Sequence, residues 1–301
     1  MLIQFQIILP VKDILTKGVI VVSNRIEEHL SKLQEKGEKA FITYYTAGLG
    51  GMDVTRKIIE AQEGYTDVIE LGIPFSDPIA DGSVIQQASY DAILQGSSLR
   101  KTFELMKDIR DGGSQQPILF MMYYNTIVNY GIEAFAKKCD ECGVDGLIIP
   151  DLPLEEQEEL QQAIAKYDTT VLVQLVSPIS ADRIPAILEN ARGFVYCVSS
   201  MGVTGGKGTF HSKVIDYLTD VKKHSKIPVM MGFGIREAKD VEPMLDIIDG
   251  AIVGTHFINL MREGDYNPKV AREYVAKFKE DMQMLSTVPP VNQEGHTIKY
   301  I

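Results

Sequence analysis

DVIELGIPFSDPIADG (residues 67–82) begins as a buried strand and ends as a loop. From Val68 to Gly72 it is apolar apart from one carboxylate, Glu70, and it lacks the alternation of a strand with one wet face. Pro74, Asp77, Pro78, Asp81 and Gly82 then stop the strand and stiffen the path of the loop. An ionised carboxylate inside such an apolar run is costly unless something compensates it. Glu70 is therefore a candidate for chemistry rather than for packing.

Seven further runs share this character: AFITYYT (40–46), PILFMMY (117–123), DGLIIPD (145–151), TVLVQLV (170–176), GFVYCVS (193–199), PVMMGFG (228–234) and DGAIVGT (249–255). Near-continuous apolar strands belong to a parallel sheet covered on both faces. Between them lie amphipathic segments such as VTRKIIEAQE, LRKTFELMKDIR, IEAFAKKCDECG, EEQEELQQAIAKY and VIDYLTDVKKH. Strand then helix, repeated over about 250 residues, predicts an α/β fold of the (β/α)8 TIM-barrel type. The open doubly wound sheet is the competing architecture, and no GxGxxG follows the first strand to favour it.

A leading N-terminal helix precedes the barrel. SNRIEEHLSKLQEKG (23–37) supplies a capping residue, apolar Ile26, Leu30 and Leu33 at helical spacing, and a terminating Gly37. We expect residues 1–23 to be an extension, 24–285 the catalytic barrel and 286–301 a tail without helical periodicity. The first 23 residues are apolar but broken by Pro10, Lys12, Asp13 and Lys17, which fits neither a membrane span nor a signal peptide. The expected location is cytoplasmic, away from membranes.

With 45% hydrophobic and 24% charged residues the composition is that of an ordinary globular chain. The formal charge of -11 argues against neutralising a nucleic-acid backbone, and small molecules or proteins are the expected partners. Cys139, Cys142 and Cys197 are too few for a disulfide framework, and the CDEC pair lacks further ligands at zinc spacing. Cys139 and Cys142 read as helix-packing residues, and no metal is expected.

Active sites of such barrels lie at the C-terminal ends of the strands. Glu70 shares a face with Val68 and Gly72 there, and burial would raise its pKa toward neutrality. Asp81 follows on the loop, so the two carboxylates can divide the tasks of acid and base. Asp77, in Ser-Asp-Pro, reads as a turn or partner-contact residue. MGVTGGKG (201–208), GFGI (232–235) and VGTH (253–256) occupy the loops where barrels bind phosphate, with Thr255 as an added hydroxyl donor and His256 as a structural histidine. Tyr44, Tyr123, Tyr196 and Phe233 lie near strand ends, where aromatic side chains either fill the core or suit a flat apolar substrate.

ELGIPFSDPIADG, IIPDLP (148–153), SSMGVTGGKG and GFGI, in this order, resemble the tryptophan synthase alpha subunit family from about Asn24 to Met282. The resemblance implies a (β/α)8 barrel that cleaves indole-3-glycerol phosphate to indole and glyceraldehyde 3-phosphate. It also implies a PLP-dependent beta subunit as partner in an alpha2-beta2 complex, with no cofactor in this chain. By motif, the catalytic pair falls on Glu70 and Asp81, and the indole pocket on Tyr44, Met121, Tyr123, Ile148, Tyr196 and Phe233, with Thr204 in a loop above. Phosphate-binding backbone falls on Gly205, Gly234, Gly254 and Thr255, and Asp77 faces the beta subunit. YYTAGLGG (44–51) lacks the proline common after the first strand, and Ser200 stands where many members have arginine.

The implied reaction is a retro-aldol cleavage. Glu70 would protonate indole C3 and then take the proton of the side-chain hydroxyl, while Asp81 offsets charge at N1–H. Two other functions stay open at this point: another phosphate-binding barrel enzyme, and a regulatory barrel that activates a beta subunit with little turnover.

Overall fold

Asn24 starts the first helix, Arg25–Lys36, by accepting hydrogen bonds on its side-chain oxygen from the N–H of Ile26 (2.9 Å) and Glu27 (3.3 Å). Its side-chain amide donates to the carbonyls of Asp145 and Thr169, both at 2.7 Å, and so ties the helix start to the sheet. Gly37, at φ 68°, takes the left-handed conformation that ends the helix. Ile26, Leu30 and Leu33 are buried against Ile42, Val68, Leu119, Val171, Phe194 and Ile252 of the strands. The helix thereby plugs one end of the barrel. The computed structural model describes residues 24–198, 207–232 and 234–287.

Nine parallel strands form one sheet: β1 Ala40–Thr46, β2 Val68–Gly72, β3 Ile118–Met121, β4 Gly146–Ile148, β5 Val171–Leu172, β6 Gln174–Val176, β7 Val195–Val198, β8 Val229–Gly232 and β9 Gly250–Val253. Their order is β5-β4-β3-β2-β1-β9-β8-β7-β6. The two edges, β5 and β6, are halves of the single run 170–176, separated by Val173. β5 pairs with β4 and β6 with β7, so the ring closes through one strand that changes partner midway. The expected fifth strand is thus divided, and the third and fourth end at Met121 and Ile148, short of the apolar runs that suggested them.

Register sets the barrel interior. Ile42 stands opposite Val68, Tyr44 opposite Glu70, and Glu70 opposite Leu119, which puts these side chains on the inner face. The intervening Phe41, Ile69, Leu71, Ile118 and Phe120 face the helices and are fully buried there. Both faces are apolar because both are covered, which is why the strands do not alternate. Outside, Phe278 of the helix Pro268–Thr287 stacks on Phe41 at 4.0 Å. Cys139 and Cys142 are buried on the inner face of the helix Ile132–Cys142, in the cluster that holds Phe103 and Phe135.

At the plugged end, three aspartates repeat one arrangement. Each directly precedes a strand and accepts the N–H of a residue at the start of the neighbouring strand: Asp67 from Phe41 (2.6 Å), Asp145 from Ile118 (2.8 Å) and Asp249 from Val229 (2.7 Å). Each also meets basic side chains: Lys279 at 2.5 Å and His29 at 2.9 Å on Asp67, Arg25 at 2.6 Å and Arg110 at 2.8 Å on Asp145, Lys222 at 2.5 Å on Asp249. No described helix is long and apolar enough to cross a membrane.

Candidate active site

At the opposite end the inner face carries the residues singled out from the sequence. Tyr44 and Glu70 are register partners, Gly72 pairs with Met121, and Met121 with Ile148. Two strand glycines make room for two phenols. A Cβ on Gly72 would come within 2.1 Å of the Tyr44 hydroxyl, and one on Gly232 within 2.6 Å of that of Tyr196. Side chains at those positions would evict the tyrosines.

Glu70 is 1% exposed, and neither carboxyl oxygen meets a hydrogen-bond partner among the described residues. Burial, and after it the charge of Asp81, pushes its pKa up to about 8. A carboxyl so placed holds its proton at neutral pH and has no competing acceptor for it. Asp81 is pushed up to about 6 by burial, against the opposing effect of its hydrogen bond from Tyr123. Burial and then the charges of Glu70 and Asp81 also raise the Tyr196 phenol, so the two carboxylates act on one place.

Tyr123 organises the loop. Its hydroxyl accepts the N–H of Ala80 at 2.9 Å and donates to Asp81 Oδ2 at 3.1 Å, while its ring stacks on Phe75 at 4.9 Å. The Asp81 N–H donates to the Pro78 carbonyl at 3.1 Å, and Gln86 donates to the Asp81 carbonyl at 2.9 Å. Asp81 is therefore held on three sides. Asp77 is exposed on the outer part of the loop and accepts from Ser76 at 2.6 Å. Ile79 beside it is 84% exposed.

Above the strand ends opens a cavity of about 730 Å³. Met121, Tyr196 and Gly232 form its floor, Asp81 one wall, and Gly234, Gly254 and Thr255 another. Glu70, Tyr44, Tyr123 and Ile148 lie behind that first layer and do not line the cavity directly. Gly234 has φ 61°, with nothing within 4 Å of where a Cβ would sit. Gly254 precedes the helix Thr255–Glu263, whose first N–H groups have no side-chain cap among the described residues and lie at the cavity rim. Thr204, Gly205 and Phe233 fall outside the described residues. A separate groove of about 500 Å³ lies on the outer surface, where Arg56 pairs with Asp108 at 2.7 Å and Ser114 donates to Glu63 at 2.7 Å. It holds no strand-end residue, and Glu60, the lining carboxylate without a partner among the described residues, is exposed to solvent.

A family model, that of the tryptophan synthase alpha chain, matches residues 30–287. The chain belongs to the tryptophan synthase alpha chain family. It is 59% identical over 261 residues to the tryptophan synthase alpha chain of Lachnospira eligens, covering 86% of this chain and 99% of that one. To the alpha chain of Alkaliphilus metalliredigens it is 42% identical, with 86% and 97% covered. Among solved structures it is similar to tryptophan synthase subunit alpha from Legionella pneumophila, with a TM-score of 0.78 and 30% identity over 87% of this chain and 99% of that one. It is also similar to a chain of tryptophan synthase from M. tuberculosis in an open form with BRD0059 bound, with a TM-score of 0.76 and 27% identity, covering 87% and 99%. It is an enzyme of the alpha-subunit lyase type, and its reaction is the alpha reaction of tryptophan biosynthesis.

For a tryptophan synthase alpha chain, several features of the site were not read from the sequence. Tyr123 does more than present an aromatic face: its hydroxyl bridges Ala80 and Asp81. Val198 and Ile252 line the cavity at the strand ends, and period-two alternation from Tyr196 and Gly254 was the signal that could have found them. Asn259 and Glu263 line it from the helix Thr255–Glu263 at a spacing of four. His256 has a structural contact, its ring edge-on to Tyr274 at 5.5 Å, and also lines the cavity.

Proposed function

We propose that Glu70 and Asp81 carry out the alpha reaction on indole-3-glycerol phosphate. The observation that supports this most is the Glu70 carboxyl: buried, raised to about 8 and without a partner among the described residues. Protonated at neutral pH, it gives its proton to indole C3. That step leaves positive charge at the ring nitrogen, and Asp81, ionised above about 6, accepts N1–H and offsets it. The electron pair of the bond from C3 to the side chain then returns to the ring. The side-chain hydroxyl becomes the carbonyl of glyceraldehyde 3-phosphate, and its proton goes to the Glu70 carboxylate. Glu70 ends as it began, so the cycle needs no cofactor from this chain.

The rest of the cavity serves position. Met121, Tyr196 and Phe233 bound the slot for the indole ring, backed by Tyr44, Tyr123 and Ile148, with Thr204 above it. Backbone N–H groups at Gly205, Gly234, Gly254 and Thr255 hold the phosphate, and binding at that end fixes the reacting centre against Glu70. All of these lie within residues 24–285, the unit we regard as the catalytic barrel. Asp77, exposed on the loop that also bears Asp81, faces the beta subunit, whose PLP converts the indole. The complex is alpha2-beta2 and cytoplasmic.

Indole release is the direct test. The isolated chain should liberate indole from indole-3-glycerol phosphate, and an added beta subunit should accelerate it. Release of a ring-isomerised product instead would mark another phosphate-binding barrel enzyme. No turnover, with stimulation of the beta subunit retained, would mark a regulatory barrel.

A further inference from the structure

The cavity at the open end of the barrel is electrostatically uneven. Among the described residues that line it, Asp81 and Glu263 are acidic, Arg236 is the one permanent cation, and His256 is the remaining basic side chain. The whole chain carries a formal charge of -11, so its overall field opposes a doubly charged phosphate. Backbone N–H groups at a helix start or a glycine turn carry only partial charges. A full positive charge at the phosphate end would change that balance.

Arg236 is set up to supply it. Two residues beyond Gly234, its backbone is pinned on both sides: its N–H donates to Asp240 Oδ2 at 2.8 Å, and its carbonyl accepts from the Tyr274 hydroxyl at 2.8 Å. Tyr274 in turn carries the His256 ring edge-on at 5.5 Å, so one tyrosine meets the backbone of Arg236 and the ring of His256. Arg25, Arg56, Arg110, Arg183, Arg192 and Arg262 each hold a carboxylate. Among the described residues no carboxylate forms an ion pair with Arg236, although Asp240 is adjacent; that carboxylate accepts the backbone N–H groups of Arg236 and Glu237. His256 is pushed below its ordinary pKa by burial and then by Arg236, against the pulls of Glu263 and Asp240. It is neutral at neutral pH, which leaves Arg236 as the working cation.

We propose that the Arg236 guanidinium closes the phosphate end of the cavity and selects for a phosphate dianion, as a side-chain clamp added to the backbone donors of Gly234, Gly254 and Thr255. This rests on that end being the phosphate site. Arg236 is a specificity-determining residue here and touches none of the atoms that react. Glu263 disfavours an anion at its own side of the cavity, which directs the phosphate toward Arg236.

Titration calorimetry on the full chain with glycerol 3-phosphate, inorganic phosphate and indole tests this. Arg236→Ala should lower the affinity for glycerol 3-phosphate and for phosphate about tenfold and leave that for indole unchanged, the unchanged indole affinity serving as the control for folding. Arg236→Lys should recover part of the loss, and Arg236→Gln should not. With indole-3-glycerol phosphate, the Ala variant should show KM raised by a similar factor and kcat within about twofold of the parent. Raising salt from about 50 to about 300 mM should weaken glycerol 3-phosphate binding more in the parent than in Arg236→Ala, because the screened charge is gone from the variant. Equal binding by the parent and Arg236→Ala, with Gly234→Ala weakened, would overturn the clamp and leave the phosphate site standing. A parent chain that binds neither glycerol 3-phosphate nor phosphate would overturn both.

Discussion

The two ends of the barrel treat buried carboxylates in opposite ways. At the plugged end Asp67, Asp145 and Asp249 each accept a strand N–H and meet a lysine or arginine within 2.8 Å. At the open end Glu70 has no partner among the described residues, and Asp81 has one phenol. The first three pin β1, β3 and β8 to their neighbours and secure the ring. Burial raises the pKa of Glu70 and Asp81, and it raises Asp145 as well, there against the opposing charges of Arg110 and Arg25. Arginines and a backbone donor favour the ionised form of Asp145, whereas Glu70, buried without a donor among the described residues, favours its proton and can pass it on.

Exchanging the two roles gives the sharpest tests. Glu70→Gln keeps the shape and removes the proton, so indole release should fall by about 10² to 10⁴, roughly 3 to 5 kcal/mol of barrier, with the fold intact. A fully active Glu70→Gln enzyme would end its role as the acid. Asp145→Ala should do the reverse. It strands Arg110, whose side chain is 10% exposed, and urea unfolding should show a loss of about 3 to 5 kcal/mol while indole release per folded molecule is retained.

Stability against pH reports on Glu70 at the open end. The Glu70 pKa is raised from 4.5 to about 8, so between those values the folded chain holds a proton that the unfolded chain has released. Stability from this group is therefore full below about 4.5, falls as pH rises, and levels off above about 8. Glu70→Gln lacks this loss. Denaturation at pH 9 and pH 5 should find it more stable than the parent at the higher pH by a few kcal/mol, with the gap shrinking at the lower. A gap independent of pH would mean that Glu70 is ionised in the folded state throughout.

Two smaller effects refine the picture at the open end. The profile of kcat/KM against pH should rise through about 6 as Asp81 ionises and fall through about 8 as Glu70 loses its proton. The limbs belong to the coupled pair. Tyr123→Phe removes the hydrogen bond that lowers Asp81, so the acid limb should move upward while the alkaline limb stays; an unmoved acid limb would detach Tyr123 from it. Smallest is Gly234→Ala, which forces φ 61° on a residue with a Cβ at about 1 kcal/mol and should weaken glycerol 3-phosphate binding several-fold.

How far the sequence reached varies from element to element. Continuous apolar runs separated by amphipathic segments were enough for a closed parallel barrel, because only a sheet covered on both faces tolerates such strands. The run 170–176 looked like one strand, and nothing local marked Val173 as the point where it passes from β4 to β7. DV at 67, DG at 145 and DG at 249 stood at the heads of three runs, but their shared task needs the neighbouring strand and a distant cation, Lys279 lying 212 residues from Asp67. Glu70 was conspicuous because an apolar run frames it. Arg236 was not, because a basic residue in a loop after GFGI looks the same whether it faces solvent or a cavity.

By itself the sequence determined which segments bury both faces, where the first helix starts and stops, and that a carboxylate sits among apolar residues in the second strand. These depend on neighbours within a few positions along the chain, where backbone and side-chain preferences act directly. Folding alone settles that Glu70 finds no donor among the described residues while Asp67 and Asp145 find several, that Tyr123 holds Asp81, and that Tyr274 holds the backbone of Arg236. Protonation and charge pairing depend on atoms brought close by folding, and those atoms are scattered along the whole chain.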